Sequence, residues 1–169
     1  MIHSSKDTDA LSAFRHHRHD VMNSLQMIRA YTQLGRMEQA IETVDRLADW
    51  LKSLSLWQNS TELEESTLVW HAATCPQVKL TSIPSKIRLT PVMGEELMDI
   101  WTHLNTAAQE LGIRGFEVQL NESGADPLDS PLLKLSVKPE LPAPENWKTL
   151  LTDRLPKDWP KMFEICLQG

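Results

Sequence analysis

An α+β fold is predicted for this chain: a hairpin of two long helices, followed by a half that carries a sheet and further helices. Three observations predict it. All ten prolines lie at or beyond Pro76, and of the six glycines only Gly35 precedes Gly94, so helix breakers are withheld from the first part of the chain. Within that part, apolar side chains recur at steps of three and four, the helical period. Later, FEVQLNE and LLKLSVK alternate apolar and polar residues, the mark of half-buried strands.

The first helix is written by Leu11, Phe14, Arg18, Val21, Leu25, Ile28 and Thr32, running from about Asp7 to Leu34. Gly35 stands where a C-terminal glycine is expected. Met37, Ala40, Val44, Leu47, Leu51 and Leu54 resume the pattern, giving a second, antiparallel helix with a coiled-coil-like seam. A two-helix hairpin cannot surround its own seam. Two chains pairing their hairpins through residues 7–58 into a four-helix bundle would cover it, so a homodimer is expected. The alternative is that the C-terminal half folds back over the hairpin.

Beyond Thr61, Glu62 to Ala73 reads as a short helix, and VKLTSI and KIRL as strands separated by Pro84 and Ser85. MGEELMDIWTHLNTAAQELG is an amphipathic helix with Leu97, Ile100, Trp101, Leu104, Ala108 and Leu111 on one face and Gly112 as its stop. A hairpin of FEVQLNE and LLKLSVK, a short helix near Glu145 to Leu155 and a last strand, MFEICLQ, complete an α/β sandwich. The chain therefore divides into residues 1–60 and 61–169.

Net charge is −6, and all of it comes from the second half; residues 1–60 hold seven basic and seven acidic side chains. Such a balance argues against a nucleic-acid partner, which needs an excess of Lys and Arg. Cys75 and Cys166 are far apart and fit neither a disulfide framework nor a metal spacing. The N-terminal MIHSSKDTDA has no apolar signal segment, and no run is long enough to span a bilayer. A cytoplasmic protein without membrane association is expected.

The chemistry concentrates in RHHRHDVMNSLQMI, residues 15–28. At 100° per residue His19 points away from the seam, with His16, Asn23 and Gln26 on the same outer face. It is an exposed imidazole on a rigid rod, beside Arg15 and Arg18. A merely solvated polar face would gain nothing from crowding five potential cations around Asp20. A metal site could use His16, His19 and Asp20, but no second cluster completes a shell, so no metal is assigned. Phosphoryl chemistry on the ring accounts for more of the stretch: a neutral imidazole is a nucleophile, its N–P product passes the group onward, and arginines offset charge on the phosphoryl oxygens.

Arg18-His19-Asp20, then Asn23, Leu25 and Gln26, spell RHDxxNxLQ. This box resembles the phosphoacceptor box of the sporulation phosphotransferase B family and of related sensor kinases of the citrate/malate class. The likeness continues through AYTQLGRMEQAIETV, similar to the turn and second helix of those hairpins. It extends more weakly to LVWHAATCPQVKLTSI and MFEICLQ. In the kinase form a histidine follows the asparagine, where Ser24 stands here. The resemblance implies that His19 is the phosphoacceptor, with Asp20, Asn23 and Arg18 acting in catalysis, and that regulators dock around Arg15, His16, Met22 and Gln26.

The resemblance further implies that the second half is a degenerate kinase ATPase-like sandwich. Thr106 falls where a kinase carries its metal-binding asparagine, Asn105 is one residue out of register, and no DxGxG occurs. A histidine phosphotransferase of a bacterial sporulation phosphorelay is thus expected, with no cofactor of its own. It would accept from a phosphorylated single-domain response regulator and donate to a transcription-factor response regulator, which brings Mg²⁺. The competing readings are a sensor histidine kinase fragment that labels itself with ATP, and a non-catalytic module that binds a regulator.

Overall fold

The computed structural model describes residues 4–60, 66–84, 87, 89–122, 133–157 and 162–169. Helix α1 (Ser4–Gln33) and helix α2 (Met37–Ser60) form the hairpin. Its turn closes on Gly35 at φ 70°. The Gly35 N–H donates to the Thr32 carbonyl at 3.2 Å and the Arg36 N–H to that of Tyr31 at 2.8 Å. These two bonds satisfy the last carbonyls of α1 in a conformation that glycine adopts without steric cost.

Two rows of side chains are withdrawn from solvent along the hairpin: Ala13, His17, Val21, Ser24, Ile28 and Tyr31 on α1, and Ala40, Thr43, Leu47, Trp50, Leu54 and Trp57 on α2. The expected seam is split between two faces. Val21, Ile28, Ala40, Leu47 and Leu54 belong to the inward rows, while Leu11, Phe14, Arg18, Leu25, Thr32, Met37, Val44 and Leu51 are exposed. The cause is geometric: alternate members of a three–four stagger lie in two rows about 50° apart around the helix. Leu11, Phe14, Met22 and Leu25 on α1, with Met37, Ile41, Val44 and Leu51 on α2, are apolar side chains left facing solvent.

The second half contributes α3 (Ser66–Ala72), β1 (Val78–Ser82), α4 (Pro91–Leu111), β2 (Phe116–Glu122), β3 (Leu133–Pro139), α5 (Trp147–Thr152) and β4 (Phe163–Leu167). The strands form one mixed sheet in the order β1-β2-β3-β4. β1 runs parallel to β2 with Val78 opposite Phe116, β2 antiparallel to β3 with Val118 opposite Val137, and β3 parallel to β4 with Leu135 opposite Ile165. α4 begins at Pro91, where the Thr90 hydroxyl accepts from the Met93 N–H, and stops at Gly112. It buries Met93, Leu97, Ile100, Trp101, Leu104, Ala107 and Ala108.

The two halves share a core. Trp57 of α2 lies in the same buried cluster as the sheet, edge-on to Trp101 with ring centroids 5.1 Å apart. The buried Ser53 hydroxyl accepts from the Leu80 N–H at 2.7 Å, so α2 satisfies a donor on edge strand β1. α1 meets α3 through Phe14 edge-on to Trp70. The C-terminal half thus covers one flank of α2 and leaves the outward apolar stripe uncovered.

The short helix expected from Glu62 to Ala73 is described as α3 from Ser66, and its expected start lies outside the described residues. Two local expectations change. KIRL forms no strand among its described residues: Ile87 and Leu89 are buried core anchors on the way to α4, because alternation marks one buried face whether or not the backbone finds a ladder partner. The helix expected over 145–155 shortens to α5, since Pro144 precedes it and Pro156 follows.

Candidate functional site

On a helix, residues four apart are neighbours, and that places Asn23 against His19. The His19 side chain is 72% exposed. Its Nδ1 lies 3.0 Å from the Asn23 amide nitrogen and 3.7 Å from Asp20 Oδ1. Adjacent residues of a helix do not ordinarily face one another; Asp20 reaches the ring because its side chain lies along the flank, only 38% exposed. An amide nitrogen at Nδ1 pairs with the Nε2–H tautomer. A half-turn of the amide presents its oxygen and pairs with the Nδ1–H tautomer, which a carboxylate also favours because it only accepts. Both partners engage Nδ1, and among the described residues Nε2 has none.

The neighbouring histidines have other tasks. His16 Nδ1 lies 3.1 Å from the Ser12 carbonyl, so the ring donates there and is held along the helix. His17 turns inward, edge-on to Trp50 with centroids 4.8 Å apart. Burial pushes its pKa below the usual histidine value, and the Asp20 carboxylate pulls it partly back. Arg15, Arg18, Met22 and Gln26 are all exposed. Counting 100° per residue, Arg15, His16, Met22, Asn23 and Gln26 stand within about 60° of His19, whereas Arg18 stands about 100° away, toward the apolar stripe. Hydrogen bonding or ion pairing therefore gathers only His19, Asp20 and Asn23.

Asp20 and Asn23 also line a crevice of about 250 Å³, walled by Met27, Trp50, Arg46, Lys79 and Arg114. Arg46 comes from α2, Lys79 from β1 and Arg114 from the connection into β2. These three cations were not legible beside the histidine box. They are contributed from distant positions, and the half that supplies Lys79 and Arg114 is acidic overall.

On α4 the Asn105 side-chain oxygen accepts from the Gln77 N–H at 3.1 Å, fixing the approach to β1, and Thr106 is exposed. Among the described residues no group of three or more His, Cys, Asp or Glu could hold a metal ion, and no helix is long and apolar enough to cross a membrane.

Residues 3–59, the hairpin that carries His19, match the family model described as sensor kinase SpoOB-type, alpha-helical domain. No curated protein and no solved structure matches the chain.

Proposed function

With a SpoOB-type alpha-helical domain over residues 3–59 as the premise, we propose that this chain is a histidine phosphotransferase of a sporulation phosphorelay, acting through phospho-His19. The observation that carries the reading is the arrangement of one ring: its Nδ1 is held by Asn23 and Asp20 while its Nε2 faces solvent. Exposure is what a group passed between proteins requires, and a held Nδ1 is what makes one nitrogen the nucleophile.

The Nε2 lone pair attacks the phosphorus of an aspartyl phosphate on the donor regulator. An N–P bond forms, the acyl P–O bond breaks, and the aspartate leaves as carboxylate. Asp20 retains the Nδ1 proton, joined by Asn23 once its amide is turned to present the oxygen, and offsets the positive charge of the phosphorylated ring. Attack by the carboxylate of a second regulator reverses the step, breaking N–P and restoring the neutral imidazole. Most of the catalysis is positioning in line. Arg15, His16, Met22 and Gln26 provide the docking face, and Arg18 supplies charge from the side. The Mg²⁺ that the aspartyl chemistry uses arrives with the regulators.

The exposed apolar stripe supports a homodimer through the hairpins, since a monomer would leave Leu11, Leu25, Met37, Ile41, Val44 and Leu51 exposed to water. Asn105, committed to the Gln77 backbone, supports a second half that has kept a kinase-like sandwich without the nucleotide, in a cytoplasmic protein.

The test is His19→Gln. Mixed with a phosphorylated receiver, the native protein is expected to acquire acid-labile phosphate and the variant none, with unchanged helical circular dichroism because the side chain packs on nothing. Mg-ATP alone is expected to label neither. Full labelling of the variant would overturn the mechanism, and ATP labelling of the native chain would make it a kinase.

A further inference from the structure

The crevice behind Asp20 and Asn23 is walled by three cations and by one buried indole N–H that lacks an acceptor. Lys79 is 8% exposed, and its ammonium has one carboxylate partner among the described residues, Glu140. An ammonium carries three N–H donors, so two are left. The indole Nε1 of Trp50 is buried with no hydrogen-bond partner. Arg114, 45% exposed, pairs with Glu42. Arg46 forms no ion pair among the described residues.

The buried Trp50 N–H, left without an acceptor, costs about 1–3 kcal/mol unless something satisfies it. Water is a poor match, because it brings as many donors as acceptors. Lys79 and Arg46 also line a larger groove, of about 1430 Å³, between α2 and the sheet, where Glu42, Asp45, Asp49 and Glu140 stand; none of those four carboxylates lines the crevice. Within the crevice three cations face one carboxylate, Asp20. The group that answers such a wall is small, tetrahedral or planar, anionic and rich in acceptors. A volume of about 250 Å³ is several times the share of liquid volume, about 30 Å³, that one water takes, so the crevice is large enough for an oxyanion with water beside Asp20.

We propose that this crevice is a binding site for a small oxyanion of the phosphate class. Lys79 and Trp50 form its floor, and Arg114 and Arg46 clamp the anion from the C-terminal half and from α2. The site is distinct from the reacting nitrogen of His19, and the inference stands whether or not His19 carries a phosphoryl group.

The experiment follows the tryptophan indole N–H resonances of the ¹⁵N-labelled full chain during titration with inorganic phosphate at constant ionic strength set by chloride. Trp50→Phe assigns the Trp50 signal. That signal is expected to move saturably with phosphate and not with chloride alone. Arg114→Gln and Arg46→Gln, both at exposed positions, are expected to weaken the response about tenfold each, the scale of one charge-assisted hydrogen bond. Lys79→Met is expected to abolish it if the variant folds, but the two arginine variants decide the matter without it. A Trp50 signal indifferent to phosphate would overturn the proposal, as would an equal shift in chloride or an unchanged titration in both arginine variants.

Discussion

His17 sits two residues before His19 and meets a different environment. Packed edge-on to Trp50, its ring is held neutral by burial, below the ordinary histidine value of 6.5. Between that depressed value and 6.5 the unfolded chain binds more protons than the folded one, so stability rises with pH across that window. The contribution is fully present above about 6.5 and is lost as pH falls below it. Denaturant midpoints are expected to drop as pH is lowered from about 7.5 to about 5.5. His17→Phe, which keeps a ring against Trp50, should flatten part of that slope. Among the described residues His71, also pushed down by burial, contributes in the same direction. A slope unchanged in the variant would show that His17 does not feel its burial. Two histidines two residues apart thus have different environments because a helix turns 200° between them.

At the scale of elements, Ser53 joins helix to sheet. Its side chain is buried, and its hydroxyl takes the Leu80 N–H that an edge strand would otherwise offer to solvent or to another chain. Ser53→Ala strands that donor, and about 1–3 kcal/mol of stability is expected to go with it. Calorimetry reads this as a fall of several degrees in Tm, since about 1 kcal/mol moves a chain of this size by about 2–4 °C. A variant as stable as the parent would mean that water serves the Leu80 N–H equally well. The elements themselves were largely legible: both long helices, Gly35, Gly112 and the pair β2–β3 follow from period and turn chemistry. Legibility failed where partners are distant. Ser53 reads as an ordinary polar position on α2, Lys79 as an ordinary polar position on β1, and Ile87 and Leu89 as strand, because only the assembled core shows what each one meets. The His19–Asn23 pair was readable because it is local, four residues apart on one helix; the cationic crevice was not.

Across the whole molecule, the uncovered stripe is the surface on which the proposed dimer rests. Leu25 is 47% exposed in the single chain, so a charge there leaves the monomer fold intact and acts only on association. Leu25→Glu is expected to convert a dimer to monomer in sedimentation at micromolar concentration, because pairing would bury an unpaired carboxylate at a cost of several kcal/mol. Its circular dichroism should match the parent when both are compared as monomers. A parent that already sediments as a monomer would remove the four-helix bundle from the account.

Trp57 and Ser53 have a mechanical meaning as well. An enzyme that charges its own histidine must bring a nucleotide to it, which calls for an arm that swings and a joint loose enough to let it. Here the shoulder is welded: the ring of Trp57 is buried against Trp101, and the strand nearest α2 is stitched to it through Leu80. Any swing of the sheet away from α2 would open the core to water. A chain joined this way holds His19 still, at a fixed height above its own second half, and leaves the travelling to whatever comes to meet it.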